Sequence, residues 1–182
     1  MTTIFVTGGT GFVGSNLVRK LFLSKNKIHL LTRNSSNFWR IDDVKEKLDI
    51  HKVDIFDKKK LEIVIKKINP KIVFHLAAYG IKRSENDISK TLDTNIIGTH
   101  NLLEACRHYQ KIKKFVHVST DEVYGESMNN IKEIKKNEHS ILCPTNPYAA
   151  TKAGAELIAQ SYYHSFKLPI IITRGNNVYG TN

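Results

Sequence analysis

Residues 3–14 read Thr3-Ile4-Phe5-Val6-Thr7-Gly8-Gly9-Thr10-Gly11-Phe12-Val13-Gly14. A short strand-forming run, Thr3–Thr7, passes directly into glycines spaced three apart, Gly8, Gly11 and Gly14. These open a segment, Phe12–Leu23, whose apolar residues recur with helical period. The first glycine permits a tight turn. The second lets backbone approach a pyrophosphate, and the third lets helix and strand pack closely. A helix beginning there offers unpaired N–H groups and a partial positive charge to phosphates. Glycines alone are weak evidence, but their place between a strand and a helix, at the start of a βαβ unit, predicts dinucleotide binding. A glycine turn of purely structural use is the alternative.

Working outward, the same alternation continues. Strands are predicted at Thr3–Thr7, Ile28–Thr32, Asp49–Val53, Lys71–Leu76, Phe115–Ser119 and Ile170–Thr173. Helices are predicted at Phe12–Leu23, Lys58–Ile68, Ile88–Tyr109 and Pro147–Phe166. Strand alternating with helix implies an α/β fold, a doubly wound parallel sheet of about six strands with helices on both faces. The 182 residues read as a single domain, large enough to bury a core. Glu126–Thr145 is the longest irregular stretch, polar, and is expected to form a lid or rim at the strand ends.

The chain carries 28 Lys and Arg against 17 Asp and Glu, a formal charge of +11. Its lysines lie in short dispersed clusters such as Lys58–Lys60 and Lys135–Lys136, without the aromatic interleaving of a base-stacking surface. We read them as solvated helix faces, not a nucleic-acid site; a positive field still favours anionic ligands. No apolar run is long enough to span a bilayer, and no basic and apolar leader follows Met1. Cys106 and Cys143 lack metal-ligand spacing, so no metal site is expected, and reduced thiols in a cytoplasmic protein are.

At the cofactor end, an acidic residue after the second strand would ordinarily hold a ribose. Here the segment is Thr32-Arg33-Asn34-Ser35-Ser36. Arg33 suits a 2′-phosphate, which keeps both NAD and NADP open; an ordinary solvated arginine is the plainer reading. Asp54, with Ile55 beside it, follows strand 3 and is placed to contact adenine. Leu76, Ala77 and Ala78 end strand 4, where small residues let a cofactor lie against backbone. Phe12 and Val13 complete the set beside Gly8, Gly11 and Gly14.

At the reaction end, Ser119-Thr120-Asp121-Glu122-Val123-Tyr124-Gly125 places hydroxyls and two adjacent carboxyls after the fifth strand. Tyr-x-x-x-Lys occurs three times, as Tyr109/Lys113, Tyr148/Lys152 and Tyr163/Lys167. Only Tyr148 lies in the first turn of a helix, with Asn146 as a candidate N-cap and Pro147 suited to the first helical position. The spacing puts Lys152 on the same helical face. A tyrosine base near neutrality needs its pKa lowered by roughly 3, or about 4 kcal/mol. An ammonium at about 4 Å, at an effective dielectric near 20, supplies an interaction of that size. Asp121 and Glu122 point to opposite faces on an extended strand, so both reach one substrate only if the chain turns straight after Thr120. Asp121 as a turn cap is the structural alternative. His75 and His117, inside apolar strands, read as core or supporting residues.

These motifs resemble the extended short-chain dehydrogenase/reductases, and more narrowly the nucleotide-sugar 4,6-dehydratases of the epimerase/dehydratase family. The resemblance spans almost the whole chain. It is strongest in STDEVYGE at 119–126, PTNPYAATKAGAE at 144–156 and TRGNNVYG at 173–180. The last two resemble the UDP-glucose enzymes of rhamnose synthesis, with dTDP-glucose enzymes close behind. The resemblance implies a Rossmann domain with roles for named residues. Tyr148, aided by Thr120 and Lys152, takes the proton of the sugar C4 hydroxyl while hydride passes to NAD(P). Glu122 removes the C5 proton, Asp121 protonates the departing C6 hydroxyl, and hydride returns to C6. Asn177 is implied near the substrate diphosphate and Asn95 beside the active site. Arg33-Asn34-Ser35-Ser36 is instead similar to NADP-using GDP-mannose enzymes, and Ala77-Ala78-Tyr79-Gly80 to epimerases and reductases. The family continues past Gly180 into a nucleotide-gripping lobe, whereas this chain has only Thr181 and Asn182. The expectation is therefore a chain without that lobe, with a separately encoded lobe as one candidate partner. A homodimer through helices 88–109 and 147–166 is expected by analogy. A non-catalytic dinucleotide-binding module, or a 4-epimerase or 4-reductase, are the competing readings.

Overall fold

The computed structural model describes residues 1–80, 87–109, 111–125 and 135–180. Six strands form one parallel sheet: β1 (Thr3–Thr7), β2 (Lys27–Thr32), β3 (Asp49–Lys52), β4 (Ile72–His75), β5 (Lys114–Thr120) and β6 (Ile170–Gly175). Their spatial order is β3-β2-β1-β4-β5-β6. Chain order reverses between β1 and β4, and the crevice beyond the carboxyl ends of those two strands is where such sheets bind ligands.

Side-chain alternation along β1 builds both faces. Ile4 and Val6 enter one core with Ile28, Leu30, Val18, Ile41 and Val44. Phe5 enters the other, with Val73, Phe115, Leu61, Ile65, Leu102 and Leu103. Each fully buried side chain of this size contributes about 1.5–3 kcal/mol, and covering both faces is what a parallel sheet requires.

The helices are α1 (Phe12–Leu23), α2 (Lys58–Ile68), α3 (Ile88–Leu92), α4 (Gly98–Arg107) and α5 (Pro147–Phe166). Asp57, Asp87 and Asn146 cap α2, α3 and α5 by accepting bonds from Lys60, Lys90 and Ala149 backbone N–H groups. Helix α1 has no side-chain cap and no acid in its first turn, which leaves its first N–H groups open to an anion.

One expected helix is not continuous. The segment predicted as Ile88–Tyr109 is divided by a π-turn at Asp93–Ile97. The extra residue carries Asn95 inward, where its carbonyl accepts from Tyr79 N at 2.9 Å. Its amide donates to Tyr79 O and to Thr151 Oγ1, both at 2.9 Å. A π-turn often marks a functional site, and here it ties the end of β4 to the start of α5. Of the expected rim at 126–145, residues 126–134 lie outside the described residues. Its return, at Cys143, donates a backbone bond to Val123 O at 2.9 Å.

Candidate active site

A trough crosses the carboxyl ends of β1 and β4 in two connected parts. The first is lined by Gly8, Gly11, Thr32, Arg33, Asp54, Ile55, Leu76, Ala77 and Ala78, among others. The second, about 480 Å³, is lined by Gly8, Phe12, Val13, Gly14, Leu76, Ala78, Ser119, Thr120, Glu122, Tyr148, Lys152, Gly175, Asn177 and Val178, among others. Gly8, Leu76 and Ala78 belong to both parts. All the residues expected to hold the cofactor therefore lie along one continuous groove.

The glycines explain how the groove stays open. Gly8 has φ +71°, and a Cβ there would sit 2.6 Å from the Leu76 carbonyl carbon. A Cβ on Gly14 would sit 2.2 Å from Gly8 O. The turn after β1 is thus pressed both against the end of β4 and against α1. Two buried hydroxyls that line the groove, Thr32 Oγ1 and Ser119 Oγ, have no hydrogen-bond partner among the described residues. Open helix N–H groups, a glycine turn and unpaired hydroxyls fit a dinucleotide. Arg33 is exposed at the far end, with its N–H bonded to Ser36 Oγ at 3.0 Å.

The groups expected to react are positioned by β5 and α5. Asn146 caps α5 through its carbonyl, and its amide donates to Glu122 Oε2 at 2.9 Å. This cap steadies one acid while setting the start of the helix that carries Tyr148. Of the three Tyr-x-x-x-Lys pairs, Tyr148/Lys152 is the one that lines the groove. Tyr109 packs against the core, and Tyr163 is half exposed.

Lys152 is 3% exposed, and its Nζ donates to Val118 O at 2.7 Å. Burial pulls its pKa down from 10.5 to about 8, partly opposed by Glu156. The ammonium thus remains the main form at neutrality while being held at a cost. Below it His75 bonds Thr7 Oγ1 at 2.7 Å and Thr99 Oγ1 at 2.9 Å. Burial, with the Lys152 charge, lowers the His75 pKa to about 3, so the ring is neutral. His117, its neighbour in β5, is also buried and held neutral by desolvation first and Lys152 second.

The chain does turn directly after Thr120, in a 3₁₀ turn spanning Asp121–Tyr124. The cap of that turn is Thr120, whose Oγ1 accepts from Glu122 N at 3.3 Å, not Asp121. Glu122 enters the groove. Asp121 lines the adjoining hollow with Tyr124, Lys136 and Arg174, and the two spaces share Asn176. The Asp121 carboxylate stays within 3.4 Å of the Thr120 hydroxyl. The sequence reading missed Asn146 as a partner of Glu122, and missed the Glu156–Arg174 ion pair behind the turn. Arg174 stands within the quoted stretch 173–180, but nothing local in the sequence pairs it with Glu156.

Among the described residues no group of three His, Cys, Asp or Glu side chains gathers as metal ligands. Among them, too, no helix is long and apolar enough to cross a membrane.

Known proteins are similar to this chain in sequence and fold. A dTDP-D-glucose 4,6-dehydratase of Dictyostelium discoideum is 47% identical over 97% of this chain and 44% of its own length. A trifunctional UDP-glucose 4,6-dehydratase, 3,5-epimerase and reductase of Arabidopsis thaliana is 39% identical over 98% of this chain and 28% of its own. The crystal structure of a dTDP-glucose 4,6-dehydratase from Bacillus anthracis in complex with NAD superposes with a TM-score of 0.84 at 36% identity, covering 99% of this chain and 56% of that one. The chain thus spans about half the length, or less, of these proteins. The family described as GDP-mannose 4,6 dehydratase matches residues 5–182. With its glycine turn, its Tyr148/Lys152 pair and its Glu122 all on one groove, this chain belongs to that family of nucleotide-sugar 4,6-dehydratases.

Proposed function

We propose that this chain supplies the dinucleotide-binding and catalytic half of a nucleotide-sugar 4,6-dehydratase acting on a pyrimidine-nucleotide glucose, with UDP-glucose and dTDP-glucose as the candidates. The observation that carries the reading is the shared groove in which Tyr148, Lys152, Thr120 and Glu122 meet the glycine turn. NAD or NADP bound along the groove supplies a hydride acceptor for C4 and a hydride donor for C6. Tyr148 accepts the proton of the C4 hydroxyl. Lys152 keeps a positive charge beside it, and Thr120 contributes a hydroxyl at the same wall. The new ketone acidifies C5–H, and Glu122, steadied by Asn146, removes that proton. Asp121 protonates the departing C6 hydroxyl from the neighbouring hollow. Asn177, an exposed residue lining the groove, holds the substrate diphosphate.

Relatives that act on the two pyrimidine nucleotides support the substrate class. Epimerisation or reduction at C4 has no use for Glu122, whose place in the groove favours elimination. Exposed apolar residues on α3, the π-turn and α5, including Ile88, Leu92, Ile97 and Leu157, support a homodimer through these helices. Incubation with UDP-glucose or dTDP-glucose and either cofactor tests the reading. The expected result is a 4-keto product lighter by one water, abolished in Glu122→Gln. Cofactor binding without product would instead make this a non-catalytic module.

A further inference from the structure

Behind the acid-bearing turn lies a buried ion pair that the mechanism above does not use. Glu156 is fully buried on α5, one helical turn beyond Lys152. Its Oε2 accepts from Arg174 Nη2 at 2.7 Å and its Oε1 from Nε at 3.2 Å, with Nε also 3.0 Å from Oε2. A buried pair of this kind is rarely a net source of stability, since apolar residues would do as well. What it does provide is orientation, because the planar guanidinium is fixed by two parallel bonds. The remaining donor, Nη1, is thereby aimed at Tyr124 OH, 2.7 Å away, and at Glu138 O, 3.2 Å away. The guanidinium also stands 4.9 Å from the Tyr124 ring centroid. Tyr124 is the last residue of the turn that carries Asp121 and Glu122. The turn is therefore held at its first end by Thr120 and at its last end by Arg174, which β-sheet register places level with Ser119.

We propose that Arg174, locked by Glu156, is a positioning residue that fixes the Asp121–Glu122 turn through the Tyr124 phenol, and that the elimination of water depends on this grip. The catalytic part of this proposal rests on the dehydratase reading given above. Tyr124→Phe removes only the hydroxyl, and Arg174→Lys keeps the charge while losing the fork.

Two measurements on the intact protein test it. The first is backbone hydrogen exchange at Gly125 and Cys143, whose N–H groups bond Glu122 O and Val123 O. Exchange at both should speed up by about tenfold in either variant, with Phe115 in the sheet unchanged. The second is single-turnover kinetics. Formation of reduced nicotinamide should stay within about twofold of wild type with KM unchanged, while loss of the C6 hydroxyl slows by about 10- to 100-fold. Unchanged exchange, unchanged elimination, or an equal slowing of both steps would overturn the proposal. If wild-type protein forms no reduced nicotinamide with either sugar nucleotide, the dehydratase reading fails and the catalytic part falls with it. The exchange experiment then still decides whether Arg174 holds the turn.

Discussion

Replacing Lys152 by Met should make the protein more stable at neutral pH. Lys152 is buried at the groove wall, and its pKa is displaced from 10.5 to about 8, chiefly by desolvation. That displacement is worth about 3 kcal/mol, carried by the folded state whenever the ammonium is charged. The unfolded chain keeps its proton up to about pH 10.5, whereas the folded chain releases it near pH 8. Between these values the unfolded state binds more protons, so wild-type stability rises with pH across that window. Below it the full cost remains. Met is unbranched and of similar length, so it fills the same space without the charge. It forfeits the bond to Val118 O, worth about 1 kcal/mol. The net expectation is a gain of about 2 kcal/mol near neutrality that disappears as pH approaches about 10.5. Urea unfolding of both proteins across this range measures it, because groups common to the two cancel in the difference. A Met variant less stable than wild type at neutral pH, or a gap that fails to shrink on raising pH, refutes the argument. A residue held at such a cost fits the role proposed for it at the groove better than a role in holding the fold.

Three further outcomes are expected. In Gly14→Ala the new methyl collides with Gly8 O, so the turn after β1 must shift; dinucleotide affinity measured by calorimetry should fall by at least about tenfold. Asn95→Ala leaves the Tyr79 backbone groups and Thr151 without a shared partner inside the protein, which should cost about 2–4 kcal/mol in denaturant titration. Arg33→Ala should weaken NADP binding by about tenfold or more and leave NAD nearly unaffected; equal losses for both would make Arg33 a solvated residue without a phosphate partner.

Much of the fold was readable locally. The bounds expected for β1, α1, α2 and α5 coincide with those observed, because each begins or ends on a local device: the glycine turn, the Asp57 cap, the Asn69 left-handed terminus, the Asn146 cap with Pro147. The segment Ile88–Tyr109 reads as one helix, yet the structure divides it and ends it at Arg107, because a π-turn adds a residue without disturbing apolar periodicity enough to announce itself. Tyr148 and Lys152 were also legible, since four residues on a helix is a local distance and the first turn a recognisable place.

The acids were not legible in the same way. Alternation along an extended strand would have sent Asp121 and Glu122 to opposite faces, and whether the chain bends after Thr120 depends on the Thr120 cap and on Arg174 reaching Tyr124 from 50 residues away. Sequence by itself determined the parallel α/β sheet, the glycine turn and the tyrosine–lysine helix, because propensity, periodicity and capping act within a few residues. Only the tertiary structure decided that Glu122 shares the groove while Asp121 lines the next hollow, and that Lys152 is buried deeply enough to lose much of its basicity. Desolvation and ion pairing depend on what packs around a group, and those neighbours come from strands and helices far apart in the chain.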